Sequence, residues 1–86
     1  MNYVAMFNIA AAYERFNKFS CAFKWFKRVI QTDPTFSTAY MGAALNLFKQ
    51  GKFKLSAAYI EESIVVLEEE KVAKLGGRID TAERED

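Results

Sequence analysis

The sequence has no histidine, and its 86 residues include only one cysteine, one proline and four glycines. The absence of histidine removes the commonest general base and metal ligand of proteins. A single cysteine, Cys21, leaves no internal disulfide and no cysteine-rich zinc site. No apolar run approaches the length of about 18 residues that marks a membrane-spanning helix. We therefore expect no enzymatic activity, no cofactor, no metal and no membrane span.

The residues that are present are typical of one small folded domain. Apolar residues make up 51% of the chain, aromatic residues 15% and charged residues 27%, which is a globular composition. A chain of this length buries only roughly 60–65% of its unfolded surface, so its own core is marginal. The start is apolar, but the first positive charge is Arg15, so the basic segment of a signal peptide is missing. Together with an unpaired cysteine, this predicts a cytoplasmic protein.

The chain is similar to itself when it is shifted by 34 residues. Small residues align at Ala10 and Ala44, and again at Ala22 and Ser56. Other aligned pairs of similar type are Met6 and Tyr40, Ile9 and Ala43, Tyr13 and Leu47, Lys18 and Lys52, Phe19 and Phe53, and Phe26 and Ile60. A period of this length predicts a stack of similar supersecondary units.

The first half of the chain predicts two helices. The first runs from about Tyr3 to Phe16, because its apolar residues recur at three-to-four spacing. Asn17 favours the left-handed conformation that ends a helix. Ser20 is expected to cap the second helix. Pro34 is expected to end that helix, because the residue before a proline resists the helical region.

The second half predicts two more helices. The third begins at Ser37 or Thr38 and ends at Gly51. The fourth covers at least residues 53–67 and continues towards Gly76–Gly77, which is a strong stop signal.

These residues resemble the tetratricopeptide repeat (TPR) family. The family pattern is Trp-x2-Leu-Gly-x2-Tyr, followed by Ala-x3-Phe and then by Ala and Pro. The first copy here reads Met6-x2-Ile9-Ala10-x2-Tyr13, then Ala22-x3-Phe26, then Val29 and Pro34. The second copy reads Tyr40-x2-Ala43-Ala44-x2-Leu47, then Ser56-x3-Ile60, then Ser63. The resemblance implies an all-α fold in which two TPR-like helical hairpins stack as a short right-handed superhelix with a longer last helix.

The resemblance covers residues 3 to about 67 and implies one helical repeat domain over residues 1–75. Repeat one falls at about 3–36 and repeat two at about 37–70. Residues 76–86 are charged and short of apolar groups, so we expect a flexible tail there.

The resemblance also implies binding, since the first helices of stacked TPR units line a concave groove for peptides. Only Asn8 matches the carboxylate clamp of some members, so capture of a terminal carboxylate is not expected. The concave positions, transferred by helix face, are Val4, Phe7, Asn8, Ala11 and Arg15 in the first unit and Thr38, Met41, Leu45, Phe48 and Lys49 in the second. This surface is rather apolar, which favours a hydrophobic or amphipathic partner segment. Neighbouring elements of a larger assembly are an equally good explanation of it.

Three further groups of residues have a structural interpretation that we prefer to a functional one. The basic residues of the second helix and of the turns could attract an acidic partner or nucleic acid, but no nucleic-acid motif accompanies them. Consecutive glutamates at 61–62 and 68–70 point around a helix and do not converge on a metal. Cys21 has no histidine to activate it, so we expect an inert thiol. The basic cluster comprises Arg15, Lys18, Lys24, Lys27, Arg28, Lys49, Lys52 and Lys54.

Charge and apolar residues are both unevenly distributed along the chain. Residues 1–60 hold eight basic and two acidic residues, whereas residues 61–86 hold four basic and nine acidic ones. The fourth helix is apolar on more sides than one neighbour covers, and two repeats are fewer than the three or so usually needed for stability. We predict a non-catalytic protein–protein interaction module or scaffold that binds a protein or peptide partner through the apolar concave face. The alternative is a structural subunit permanently buried in a multi-subunit complex or homo-oligomer.

Overall fold

The computed structural model describes residues 2–75, which form four α-helices and contain no strand. Each helix packs against the next one along the chain. The helices are α1 (Tyr3–Arg15), α2 (Phe19–Thr32), α3 (Ser37–Lys49) and α4 (Phe53–Lys74). The predicted all-α fold is confirmed, and α4 is the longest helix with 22 residues. The predicted tail at 76–86 lies outside the described residues.

None of the helices within residues 2–75 has the length and apolar character needed to cross a membrane.

The turns after α1 and after α3 have nearly the same backbone conformation. Asn17 and Gly51 lie 34 positions apart, and both have a positive φ, of 62° and 80°. The residues that follow them, Lys18 and Lys52, have φ and ψ within a few degrees of each other. Each of these lysines donates a backbone hydrogen bond of 2.9 Å to a carbonyl near the end of the preceding helix. The left-handed conformation predicted at Asn17 is confirmed. It is required because the chain reverses direction between α1 and α2 within three residues.

The start of α2 differs from the sequence-based expectation. The capping position is Lys18, which makes no side-chain cap hydrogen bond, and Ser20 already lies inside the helix. The left-handed turn at Asn17 aims the chain into α2 at once, so that the backbone N–H of Ala22 bonds to the carbonyl of Lys18 at 2.9 Å. At the other end, α2 stops two residues before Pro34, as predicted.

The core lies where α1, α2 and α3 cross. Four alanines there are completely buried, and such small residues let helix backbones approach closely. Phe26 is 2% exposed and belongs to the same core cluster. The buried alanines are Ala10, Ala22, Ala39 and Ala43.

The fourth helix is attached through small side chains. Its buried residues are Ser56, Ser63 and Val66. The Ser56 hydroxyl donates a hydrogen bond of 2.8 Å to the carbonyl of Ala44, which satisfies a buried polar group. The large apolar residues of α4 therefore remain on its outer sides.

Tyr40 is buried on α3, and its hydroxyl donates a hydrogen bond of 2.9 Å to the carbonyl of Pro34. Burial raises the pKa of the Tyr40 phenol above its ordinary value of 10.0. The nearby carboxylates of Glu62, Asp33 and Glu69 raise this pKa further, because a phenolate beside them is repelled.

We expect the folded state to lose stability as the pH rises above about 10, where an unfolded tyrosine ionises. In that range the native state keeps the Tyr40 proton and the unfolded state releases it, so the stabilisation present at lower pH is lost. Burial raises the pKa of Tyr59 as well, with the same sign. Melting temperatures followed by circular dichroism across this pH range test the effect. The Tyr40→Phe variant should show a flatter profile, and a profile parallel to the wild type would remove Tyr40 from the explanation.

Candidate binding groove

An open groove of about 420 Å³ runs between α1 and α3. Most of its surface is apolar, and α2 supplies its floor. The lining residues are Phe7, Ala11 and Glu14 from α1, Phe26 from α2, and Thr38, Met41, Gly42 and Leu45 from α3. The groove is thus the gap between α1 and α3, which both pack on α2. Helix α2 lies beneath this gap.

Aromatic contacts hold the α1 wall of the groove. The ring of Phe7 meets the ring of Phe26 edge to face, with centroids 5.5 Å apart, and meets the ring of Phe36 at 5.3 Å. Such pairs contribute beyond the area that they bury. The ring of Phe7 therefore joins the wall of the groove to its floor.

The floor also depends on a glycine. A Cβ atom placed on Gly42 would lie 2.5 Å from Cε1 of Phe26, which is far inside van der Waals contact. Only glycine lets α3 approach the Phe26 ring this closely. The contact between Gly42 on α3 and Phe26 on α2 therefore sets the depth of the groove at this point.

One end of the groove is polar. Asn46 is completely buried, and its amide nitrogen Nδ2 donates to Oε1 of Glu14 at 3.1 Å and to the carbonyl of Gly42 at 2.7 Å. Its carbonyl oxygen Oδ1 is buried and finds no hydrogen-bond partner among the described residues. These bonds hold the Glu14 carboxylate at the edge of the groove, where it is half-buried.

The structure brings together five of the predicted concave residues. Phe7 and Ala11 face Thr38, Met41 and Leu45 across the groove. Their spacing of three or four along each helix places them on one stripe, as the sequence predicts.

The other five predicted residues do not line this groove. Val4, Asn8 and Arg15 are exposed on α1. Two residues at the end of α3 make contacts of a different kind. The ring of Phe48 packs against that of Phe53 at 5.1 Å, and the ammonium of Lys49 lies 5.7 Å from the ring centroid of Phe19.

The basic residues of α2 form a separate surface. Lys24, Lys27 and Arg28, together with Gln31, line a depression of about 250 Å³ that shares no residue with the groove. The guanidinium of Arg28 stacks at 4.7 Å over the ring of Trp25, which is a common way for a basic side chain to cover an aromatic one. Three members of the predicted basic cluster, Lys24, Lys27 and Arg28, thus form a surface on α2 that lies apart from the groove.

The acidic residues and the cysteine were considered above as metal ligands and as a nucleophile. Within residues 2–75 no three His, Cys, Asp or Glu side chains lie close enough to hold a metal ion. Cys21 is an exposed thiol on α2. Glu70 and Lys74 form an i,i+4 ion pair at 4.0 Å on the surface of α4.

Sequence reasoning missed Glu14, Gly42, Asn46 and the Phe26 floor. Asn46 could have been noticed from the sequence, because it is a polar residue in an otherwise apolar stretch of α3. Nothing in the sequence pairs it with Glu14, which is 32 residues away.

Comparison with protein-family models, with curated proteins and with solved structures finds no match to this chain.

Proposed function

We propose that this chain is a non-catalytic protein-interaction module that binds an apolar or amphipathic peptide segment in the groove between α1 and α3. The observation that carries the proposal is the pairing of exposed apolar walls with a buried aromatic floor. Met41 is 49% exposed and Leu45 42% exposed, while Phe26 beneath them is buried. An apolar surface of this kind gains stability when a partner covers it.

The groove has the size and polarity of a peptide-anchor site. Its volume of about 420 Å³ is within the range of roughly 300–1,000 Å³ found for ligand pockets. Glu14 is the only charged residue in its lining, taken over the described residues. We expect the bound segment to place apolar side chains against Met41 and Leu45 and a basic side chain or N–H group beside Glu14.

We propose no catalytic role for the groove residues. Thr38 and Glu14 are the polar side chains of the described lining, and they project from different helices. A nucleophile activated by an adjacent base is the usual minimum for covalent catalysis. This lining, with its open apolar walls, is suited to binding.

Two observations support the proposal that the chain is built from two TPR-like repeats. The turns at Asn17 and Gly51 share their conformation and hydrogen bonds. Some pairs of positions 34 residues apart are buried alike, among them Ala10 with Ala44, Ala22 with Ser56 and Val29 with Ser63. A groove lined by the first helices of the two units follows from such a repeat.

Truncating one groove wall tests the proposed function. Peptides are first selected against the wild-type chain from a random library, and their affinities are then measured by calorimetry. We expect Leu45→Ala to weaken binding about tenfold or more, because an apolar anchor contact worth at least about 1.4 kcal/mol is lost.

The matched control is Leu55→Ala on α4. Leu55 is 53% exposed and lies outside the groove lining, so this variant should bind like the wild type. Equal losses for the two variants, or no selected peptide at all, would contradict binding in the groove.

A second candidate function is that of a structural subunit buried in a larger assembly or homo-oligomer. The specific observation in its favour is the row of exposed apolar residues on α4, including Leu67 at 49% exposure.

A further inference from the structure

One side of α4 is apolar and uncovered. We call it the α4 end face, and its members recur at three-to-four spacing and therefore share one side of the helix. Ile60 is 40% exposed and Ile64 50% exposed. The face consists of Phe53, Ala57, Ile60, Ile64 and Leu67.

The corresponding side of α2 shows what covers such a face. Phe26 stands 34 positions before Ile60 and is buried against Gly42 of α3. Phe23 stands 34 positions before Ala57 and meets the ring of Tyr59 at 5.7 Å. Within this chain, then, a face of this type is covered by the next helix pair.

The chain also carries the complementary surface in an uncovered form. The side of α3 that packs on α1 and α2 includes Ala39, Ala43 and Asn46, all completely buried. The positions 34 residues earlier on α1 are Ala5, Ile9 and Ala12, and none of these is buried. With Phe16 we call them the α1 end face.

The α1 end face is shaped to receive a side chain. Ile9, Ala12, Tyr13 and Phe16 line a depression of about 320 Å³. Phe16 closes this row and is 74% exposed. Covering such an exposed aromatic ring with a partner is favourable, because apolar surface is removed from water.

The first two helices taken together are basic, whereas the last helix is acidic. Over residues 2–32, which span α1 and α2, five basic residues stand against one acidic residue. Helix α4 holds five glutamates against three lysines. Complementary charge of this kind steers association and disfavours pairing of like ends.

We propose that copies of this chain associate head to tail, with the α4 end face of one copy packed on the α1 end face of the next. The contact repeats between two copies the α2–α3 packing that each copy already contains. It uses neither wall of the groove, so it stands independently of the proposed peptide binding. Because the two faces differ, the contact is heterologous, and a heterologous contact that does not close into a ring generates an open series of species.

Sedimentation velocity of the 86-residue chain over a range of concentrations tests the proposal. We expect the mean sedimentation coefficient to rise with concentration through dimers and larger species. Raising the salt to about 1 M should shift the distribution towards monomers, since it screens the attraction between the basic first hairpin and the acidic α4.

Two variants, each of which disrupts one of the two end faces, give a sharper test. Ile64→Glu places a charge in the α4 end face, and Ala12→Arg fills the α1 end face, so each variant alone should be a monomer. An equimolar mixture should form a heterodimer and nothing larger, because one good face remains on each variant. The control is Val65→Glu, at a neighbouring residue of similar exposure on another side of α4, which should associate like the wild type.

Circular dichroism of each variant checks that the helices are intact, and a heterodimer in the mixture shows independently that both variants are folded. A wild-type chain that stays monomeric up to about 1 mM, which corresponds to a free energy weaker than about −4 kcal/mol, would overturn the proposal. So would a closed dimer without larger species, a mixture that stays monomeric, or a monomeric chain whose α4 end face binds only a different protein.

Discussion

Replacing Phe26 with alanine should cost about 3–5 kcal/mol of folding free energy, which is the usual range for removing a buried aromatic side chain. The Phe26 ring is 2% exposed and belongs to a core cluster of small buried alanines. It also contacts the ring of Phe7, and the two ring centroids are 5.5 Å apart. Its loss leaves a cavity that the surrounding small residues are too short to fill.

The loss is large compared with the stability of a chain of this size. At roughly 0.05–0.15 kcal/mol per residue, the described part of the chain is stable by only about 4–11 kcal/mol. Urea unfolding followed by circular dichroism measures the change. Phe48→Ala is the matched control, since its ring is 56% exposed, and we expect it to cost far less. Similar losses for the two variants would show that Phe26 is not the centre of the core.

Gly42→Ala should destabilise the fold by about 1–3 kcal/mol, which is typical of an overpacked contact. Alanine has a higher helix propensity than glycine by about 1 kcal/mol, so a substitution at an unconstrained position would stabilise α3. The clash of the new Cβ with the Phe26 ring at 2.5 Å reverses that sign.

A second substitution separates the clash from other effects. In the double variant Gly42→Ala with Phe26→Leu, the shorter side chain makes room for the Cβ atom. The double variant should therefore lose less stability than the sum of the two single losses, because residues in contact are not additive. Additive losses in urea unfolding would contradict a direct contact between the two positions.

The helices were predictable because their signals are local. Periodic apolar residues, a left-handed Asn17 and a helix-ending Pro34 act within a few residues of where they stand. The cap at Ser20 was wrong for a reason that is also local. The turn geometry at Asn17 fixed the direction of α2, so no serine was needed to start it.

The groove was only partly predictable, because it depends on how three helices meet. The resemblance to the TPR pattern, transferred by helix face, implied Phe7, Ala11, Met41 and Leu45 as one surface. Spacing alone does not say where the surface ends, and Phe48 packs against Phe53 at the start of α4. The floor and the polar end depend on contacts between residues distant in sequence, such as Glu14 with Asn46.

The two proposed interactions use different parts of the same fold. The groove lies between α1 and α3, whereas the end faces lie on α1 and α4 at the two ends of the stack. A chain that associates head to tail would place successive grooves side by side. A partner with several apolar segments would then gain affinity from each added copy, through effective concentration.

The most direct test of the central claim, that the α1–α3 groove binds a peptide segment, is a nuclear magnetic resonance titration of the isotope-labelled chain with a selected peptide. We expect the largest shift changes on the groove residues, above all Ala11, Thr38, Met41 and Leu45. Shift changes concentrated on the basic surface of α2 or on α4, with the groove signals unchanged, would contradict it.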